Sequence, residues 1–310
     1  MAEPRQSPRP DGPVPGPIAL LGLGLIGGSI ARALRGSGRS PAIVAWTPSG
    51  GGPRAALAAG VIDRVADSVA DAVSGAARVI LAGPPLAILD LLAAEAATLR
   101  SVAEAGATLT DVASTKARIV AAADAAGGPF VGGHPMAGRE TTGFQAADTA
   151  LFTGRPWVVV PGAMARGDDV RRVDALARAV GADPVRLSAT EHDAAVAGVS
   201  HLPLVAAAAL VEAVTGADDW STARELAASG WAGMTRLARG DAEMGAGILA
   251  TNREAVADRL RAYRAAIDVW IAAIEDGGRA DIDPGRGGGV PDLRQRLEAA
   301  RARLEVDSDG

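Results

Sequence analysis

The sequence predicts an α/β protein, with a doubly wound parallel sheet first and an all-helical segment after it. Three observations carry this. Short β runs alternate with helical runs up to about residue 188, the signature of a parallel sheet covered on both faces. From residue 189 to 272 no convincing strand is found, and periodic Ala- and Leu-rich segments dominate. The first β run stops at Gly22-Leu23-Gly24-Leu25-Ile26-Gly27, which opens a helix.

Taken in order, Ile18-Ala19-Leu20-Leu21 reads as a buried strand and residues 26–35 as a helix. Residues 42–46 form a second strand, and residues 78–82 another, followed by Gly83-Pro84-Pro85 and a helix of Leu and Ala. Thr108-Leu109-Thr110 ends at Asp111, with a helix from about Thr115. Phe130-Val131 runs into Gly132-Gly133-His134-Pro135, and residues 157–160 form a strand stopped by Pro161. Thr215-Gly216 and Arg239-Gly240-Asp241 punctuate the helical part. Residues 194–211 lack any charged side chain and reach membrane-spanning length, but they include Ser200, His201 and Pro203, so they read as a buried core helix. The expected divisions are a disordered Pro-rich tail (1–16), a sheet domain (17–187), an all-helical domain (188–276), and a linker with a C-terminal helix (277–310). Gly and Asp enrich residues 277–289, and Leu293, Leu297, Ala300 and Leu304 recur at helical spacing, which makes that last helix amphipathic.

Composition removes whole classes of chemistry. The 310 residues include no cysteine, which excludes disulfides, thiolate metal sites and cysteine nucleophiles. Three histidines (His134, His192, His201) are too few to suggest a histidine-rich metal centre, and no metal is expected. Lys+Arg 31 against Asp+Glu 36 gives a net charge of −5, unlike the basic footprint of a nucleic-acid binder. The first 17 residues hold six prolines and no apolar core of a secretory signal, so a cytoplasmic protein with no membrane partner is expected. Lys116 is the only lysine and Asn252 the only asparagine.

With 39 glycines in the chain, a bare GxGxxG pattern proves little. Its context does more. It follows a strand, opens a helix and lies in the first βαβ unit, which is the Rossmann-type arrangement for a dinucleotide. Gly22 permits the tight turn, Gly24 lets the backbone approach a pyrophosphate, and Gly27 allows close packing of helix on sheet. The helix start at Leu25 and Ile26 then offers N–H groups to phosphate. The acidic residue expected at the end of the second strand, which would hold ribose hydroxyls, is absent. Thr47, Ser49 and Arg54 stand there instead. An acid would repel a 2′-phosphate and these would not, so the cofactor is NAD or NADP, with relaxed or NADP-leaning choice. Gly83, Pro84 and Asp111 follow or end further strands, where open α/β sheets bind ligands, and complete the expected cofactor set with Thr47.

Four further motifs occur in order: Asp111 to Lys116 (DVASTK), Gly132 to Glu140 (GGHPMAGRE), Ser200 to Pro203 (SHLP) and Met234 to Met244 (MTRLARGDAEM). Together with the glycine loop, they make residues 17–275 resemble the prephenate/arogenate dehydrogenase family of tyrosine biosynthesis. The resemblance implies oxidative decarboxylation of a cyclohexadienyl substrate, with hydride passing to the nicotinamide. Its leading reading is prephenate conversion to 4-hydroxyphenylpyruvate; arogenate or an amino-substituted analogue is the alternative. It implies that His134 accepts the substrate hydroxyl proton, a task suited to neutral imidazole. Ser114 then orients that imidazole and the hydroxyl. Arg236 holds a substrate carboxylate, for which a guanidinium is suited. His201 and Glu140 sit at the substrate pocket. Lys116 touches substrate or cofactor, or ties down its loop. His192, between Glu191 and Asp193, reads as a surface helix-cap residue. The resemblance also implies a homodimer formed by the helical domain.

The sequence departs from the family pattern at Thr47, at Leu204 where many members carry histidine, and at Gly245 where many carry tryptophan. Two competing readings are weaker. A 3-hydroxyacid dehydrogenase relies on a catalytic lysine in its helical domain, and this helical domain has none. A non-catalytic dinucleotide sensor predicts damage at His134, Ser114 or Arg236, all of which are present.

Overall fold

Strand β1 (Ile18–Leu21) is buried at all four positions, and its side chains divide between two cores. Ile18 and Leu20 enter one core with Ile30, Phe152, Trp157 and Leu176. Ala19 and Leu21 enter the other with Leu81, Ile88, Ile119 and Phe130. Side chains alternate along a strand, so an unbroken apolar run needs cover on both faces.

The computed structural model describes residues 14, 16–36, 41–277 and 291–306. The Pro-rich tail expected over 1–16 lies outside them apart from Val14 and Gly16, and the linker expected over 277–289 lies outside them apart from Gly277.

After β1 come α1 (Leu25–Gly36), β2 (Ile43–Trp46), α2 (Gly51–Ala58), β3 (Arg64–Val65), α3 (Val69–Val73), β4 (Arg78–Leu81), α4 (Pro85–Ala94) and α5 (Ala96–Glu104). Then follow β5 (Thr108–Asp111), α6 (Ala117–Ala125), β6 (Phe130–Pro135), β7 (Pro156–Pro161), α7 (Gly167–Ala179) and β8 (Asp183–Arg186). The rest is helical: α8 (Ala189–Val196), a π turn (Ala197–His201), α9 (Leu202–Thr215), α10 (Trp220–Glu225) and α11 (Ser229–Thr235). A 3₁₀ turn (Arg236–Arg239), α12 (Ala242–Thr251), α13 (Arg253–Gly277) and α14 (Pro291–Val306) complete it.

The strands form one sheet in the order β3-β2-β1-β4-β5-β6-β7-β8. Every neighbouring pair is parallel except β6 and β7, which set His134 opposite Val158 in antiparallel register. The order reverses between β1 and β4, and such a switch point opens a crevice at the carboxyl ends of the strands.

The alternation of strands and helices, and the all-helical part after it, match the sequence reading. Two strands go beyond it. β3 is only two residues long, and β8 (Asp-Pro-Val-Arg) is an edge strand with charges, a proline and mostly exposed positions. Edge strands of this composition carry no hydrophobic alternation to read. The reading of residues 194–211 as a buried core helix is corrected. The helical run 189–215 is apolar, with mean hydropathy 1.9 over an 18-residue window, yet only 22% of that window is buried.

Contacts group the chain up to Val256 as one compact unit and Ala257–Gly310 as a second. In the second, α14 forms as expected from its leucine spacing, with Leu297 and Leu304 exposed. Leu20 is fully buried at the centre of the sheet. Leu20→Ala should lower unfolding free energy by about 2–5 kcal/mol, because the rigid sheet cannot collapse onto the cavity. Denaturant unfolding checks this as a lower midpoint at unchanged slope.

Candidate active site

A cleft of about 640 Å³ opens at the switch point, entirely within the compact unit ending at Val256. One wall is built by residues that follow β1, β4 and β5: Gly24 to Ile26, Gly83-Pro84 and Val112 to Ser114. His134, near the end of β6, stands beside them. His201 from the π turn, Arg236 from the 3₁₀ turn and part of α12 face the cleft from the helical part.

The glycine loop is shaped by close backbone approach. Gly22 has φ 112, and a Cβ there would lie 2.4 Å from the Ala82 carbonyl oxygen. Its amide donates to Trp46 O at 2.9 Å, tying the loop to β2. Above Gly24 there is open space, with nothing within 4 Å of where a Cβ would sit. Helix α1 starts at the next residue and has no acid in its first turn. Its first N–H groups lack intrahelical acceptors, so the pair makes a cradle for a pyrophosphate. Gly24, Leu25, Ile26, Gly83 and Pro84 line the cleft, whereas Gly22 and Gly27 shape the loop from behind. Thr47 lies in the turn after β2, where its Oγ1 accepts from the Gly50 amide at 3.0 Å.

His134 is buried, and its Nδ1 lies 2.8 Å from His192 Nε2. His192 is fully buried, with its Nδ1 2.7 Å from Asp193 Oδ1. Asp193 also accepts from the Lys116 amide at 2.7 Å and the Ala117 amide at 2.9 Å, at the start of α6. Burial works to raise the Asp193 pKa, but the bonds from His192 and the two amides outweigh it and hold the carboxyl below its usual range. Burial, reinforced by His192, Lys116 and His201, pushes His134 well below the ordinary imidazole value. His134 is therefore neutral at pH 7 and able to accept a proton.

His192 as a surface cap is corrected. Ser188 and Glu191 perform the capping themselves: Ser188 Oγ accepts from the Glu191 amide, and Glu191 accepts from the Ser188 amide. This leaves His192 and Asp193 on the inner side of α8. Among the described residues the ring contact of His134 is with His192, and no hydrogen bond joins Ser114 to the imidazole. Ser114 lines the same cleft.

Asp111 and Lys116 do not reach the cleft. Both are fully buried and form an ion pair with each other. Asp111 also takes the Gly133 amide at 3.1 Å and the Ala113 amide at 2.9 Å, so the pair fastens β6 to the loop that carries Ser114. A Cβ on Gly133 would lie 2.5 Å from the Asp111 carbonyl oxygen, so glycine is required there. Lys116 tying down its loop is thus what the geometry shows, and contact of Asp111 with a cofactor gives way to this internal role.

His201 is buried, and burial pushes its pKa down to about 4, against opposing effects of Asp193 and the Ser114 backbone. The Asn252 amide group, 3.2 Å from His201 Nδ1, also donates to the Asp193 carbonyl at 2.7 Å. Among the described residues, His201 Nε2 is buried with no hydrogen bond of good geometry. Arg236 pairs with Glu140, so a guanidinium and a carboxylate face each other in the cleft. Asn252 and the His192–Asp193 pair are site residues that the motifs did not reveal. For Asn252 and His192 scarcity in this composition, one Asn and three His, was the available signal, and Asp193 carried none.

The chain matches the sequence description of the prephenate dehydrogenase nucleotide-binding domain over residues 30–185 and of the prephenate dehydrogenase dimerization domain over residues 188–283. It is 36% identical to a prephenate dehydrogenase of Bacillus subtilis over 265 residues, 83% of this chain and 68% of that protein. Among solved structures, Synechocystis arogenate dehydrogenase superposes with a TM-score of 0.73 at 27% identity, covering 93% of this chain and 99% of that one. Prephenate dehydrogenase from Aquifex aeolicus, solved with hydroxyphenyl propionate and NAD⁺, shares the fold with a TM-score of 0.81 at 24% identity, covering 93% and 98%. The ordered motifs, the nucleotide cradle and these matches agree: the chain belongs to the prephenate dehydrogenase family of oxidoreductases.

Proposed function

We propose that the chain converts prephenate to 4-hydroxyphenylpyruvate, passing a hydride to NAD(P)⁺ and releasing CO₂. One observation carries this reading: a neutral, buried His134 shares a cleft with the Gly24 cradle, Ser114, His201 and Arg236. In the open space over Gly24 and the start of α1, the dinucleotide would place its pyrophosphate, with Gly83 and Pro84 along its path. The nicotinamide supplies the hydride acceptor when bound. His134 takes the hydroxyl proton as the ring carbon becomes ketone-like. Arg236 receives a substrate carboxylate in exchange for Glu140. His201 and Ser114, both in the cleft wall, serve as polar contacts for the ring substituents.

A second reading concerns the substrate side chain. Leu204 and Gly245, the two departures from the family pattern in the cleft, are neighbours: a Cβ on Gly245 would lie 3.6 Å from Leu204 Cδ2. Together they make one apolar wall where many members carry polar or aromatic groups, and this favours testing arogenate and an amino-substituted analogue beside prephenate.

NADP is the favoured cofactor. Residues 47–54 contain no acid, and Arg54, whose side chain donates to Ser49 O at 2.8 Å, lies folded against the turn after β2. We also read the chain as a homodimer. Within α9 only Ala207 is buried, and Val199, Leu226 and Met234 are exposed, an apolar area suited to a second copy.

Reduced-nicotinamide absorbance with prephenate or arogenate, each with NAD⁺ and NADP⁺, tests the reaction. Turnover is expected in at least one of the four mixtures, and His134→Asn should lower kcat by about 10²–10⁴-fold while nucleotide still binds. Because His134 is depressed below the usual imidazole pKa, the base stays unprotonated as pH falls through 6.5. The acid limb of kcat/KM should therefore lie below that pH. By fluorescence titration, NADPH should bind at least about tenfold more tightly than NADH, and Arg54→Ala should abolish the difference by weakening NADPH alone. Light scattering at micromolar concentration should give the mass of two chains.

A further inference from the structure

His134, His192 and Asp193 stand in single file, and only the first of them reaches the cleft. The hydrogen positions along this file follow from its far end. Asp193 receives two backbone amides, which can only donate, and its carboxyl is held below the usual range. It is an ionised acceptor, so the hydrogen in its contact with His192 belongs to His192 Nδ1. With that hydrogen as the only one on its ring nitrogens, His192 has a bare Nε2. The 2.8 Å contact of that Nε2 with His134 Nδ1 needs one hydrogen, which must sit on His134 Nδ1. His134 is left with a bare Nε2 as its one basic atom. The other charged or titratable groups facing the two rings are Lys116, neutralised by Asp111, and His201.

We propose that His192 is a positioning residue that fixes the tautomer of His134 and holds its Nδ1 proton during turnover. This rests on the reaction proposed above, whose proton balance favours it. Hydride leaves the hydroxyl-bearing carbon for the nicotinamide, and the hydroxyl proton moves to His134 Nε2, leaving a carbonyl. The His134 Nδ1 proton passes to His192 Nε2, and the resulting imidazolium faces the Asp193 carboxylate. The bond from ring carbon to carboxylate then breaks, CO₂ leaves, and its electron pair makes the ring aromatic as a phenolate. The phenolate takes the proton back from His134 Nε2, and His192 returns its own. No net proton is released, so the store needs no exit to water. Its burial agrees: His192 is fully buried and His134 nearly so.

Two measurements test this. The chain has three histidines, so ¹⁵N NMR of histidine-labelled protein, assigned with His134→Asn and His201→Asn, reads each tautomer without substrate. Both His134 and His192 should carry hydrogen on Nδ1. Hydrogen on His134 Nε2 overturns the proposal whether or not the reaction reading stands. In His192→Gln the new amide oxygen can accept from His134 Nδ1 and hold the ring, but it cannot take a proton. Its kcat should fall at least about tenfold, with KM and NADPH affinity within about twofold of wild type. The rate in H₂O/D₂O mixtures should bow downward in the wild type and become linear in the variant. A kcat within twofold of wild type overturns the proposal. If the variant does not bind NADPH, the wild-type mixtures decide: curvature supports the store and linearity overturns it. A wild type that binds nucleotide but turns over none of the substrates sinks the reaction instead, and the tautomers then judge the positioning role.

Discussion

The Asp193 carboxylate is where the sheet and the helical part of the cleft are joined. It draws in the first amides of α6, which follows β5, and the ring of His192 on α8. The carbonyl of the same residue holds Asn252, at the end of α12. A buried carboxylate is costly unless its oxygens are matched by donors, so these elements are constrained to meet at one point. Truncating a group of this kind commonly costs several kcal/mol, because the partners left behind are unpaired. His134 is aligned only once that junction exists.

A buried charge pair, Asp111 with Lys116, lies one step away and does for the strands what Asp193 does for the helices. It joins β5 to β6 through the Gly133 amide and holds the Ser114 loop through the Ala113 amide. Burial lowers the Lys116 pKa, and the carboxylates of Asp111 and Asp193 work against that loss. The two pairs meet in Lys116 itself, whose backbone serves Asp193 and whose side chain serves Asp111. One residue thus sets the spacing between the hydroxyl of Ser114 and the imidazole of His134.

The parts of this molecule legible from sequence were those with local signatures. The glycine loop, the β runs at 18–21 and 78–81 and the ordered motifs each announce themselves within a few residues. His134, Ser114, His201 and Arg236 came from motif order, and the structure gathers all four in one cleft. What was not legible depends on distance along the chain. The bond between His134 and His192 spans 58 residues, and no periodicity encodes it. His192 was misread because its acidic neighbours Glu191 and Asp193 mark a helix start, and local logic then placed the ring at the surface, whereas the structure gives the capping to Ser188 and Glu191. The helical run 189–215 was misread because hydrophobicity alone does not say whether a face is covered by the same chain or by another.

Arginine has displaced lysine everywhere but one position, and that position is sealed beneath the cleft. The folded molecule thus offers amine-reactive reagents no accessible lysine, because its one side-chain ammonium is locked against a carboxylate, and the α-amino group is left as the amine they can reach. A single lysine introduced on any exposed helix becomes the one accessible lysine side chain, set apart from the α-amino group by its higher pKa, so a probe or surface tether can be directed to one chosen point.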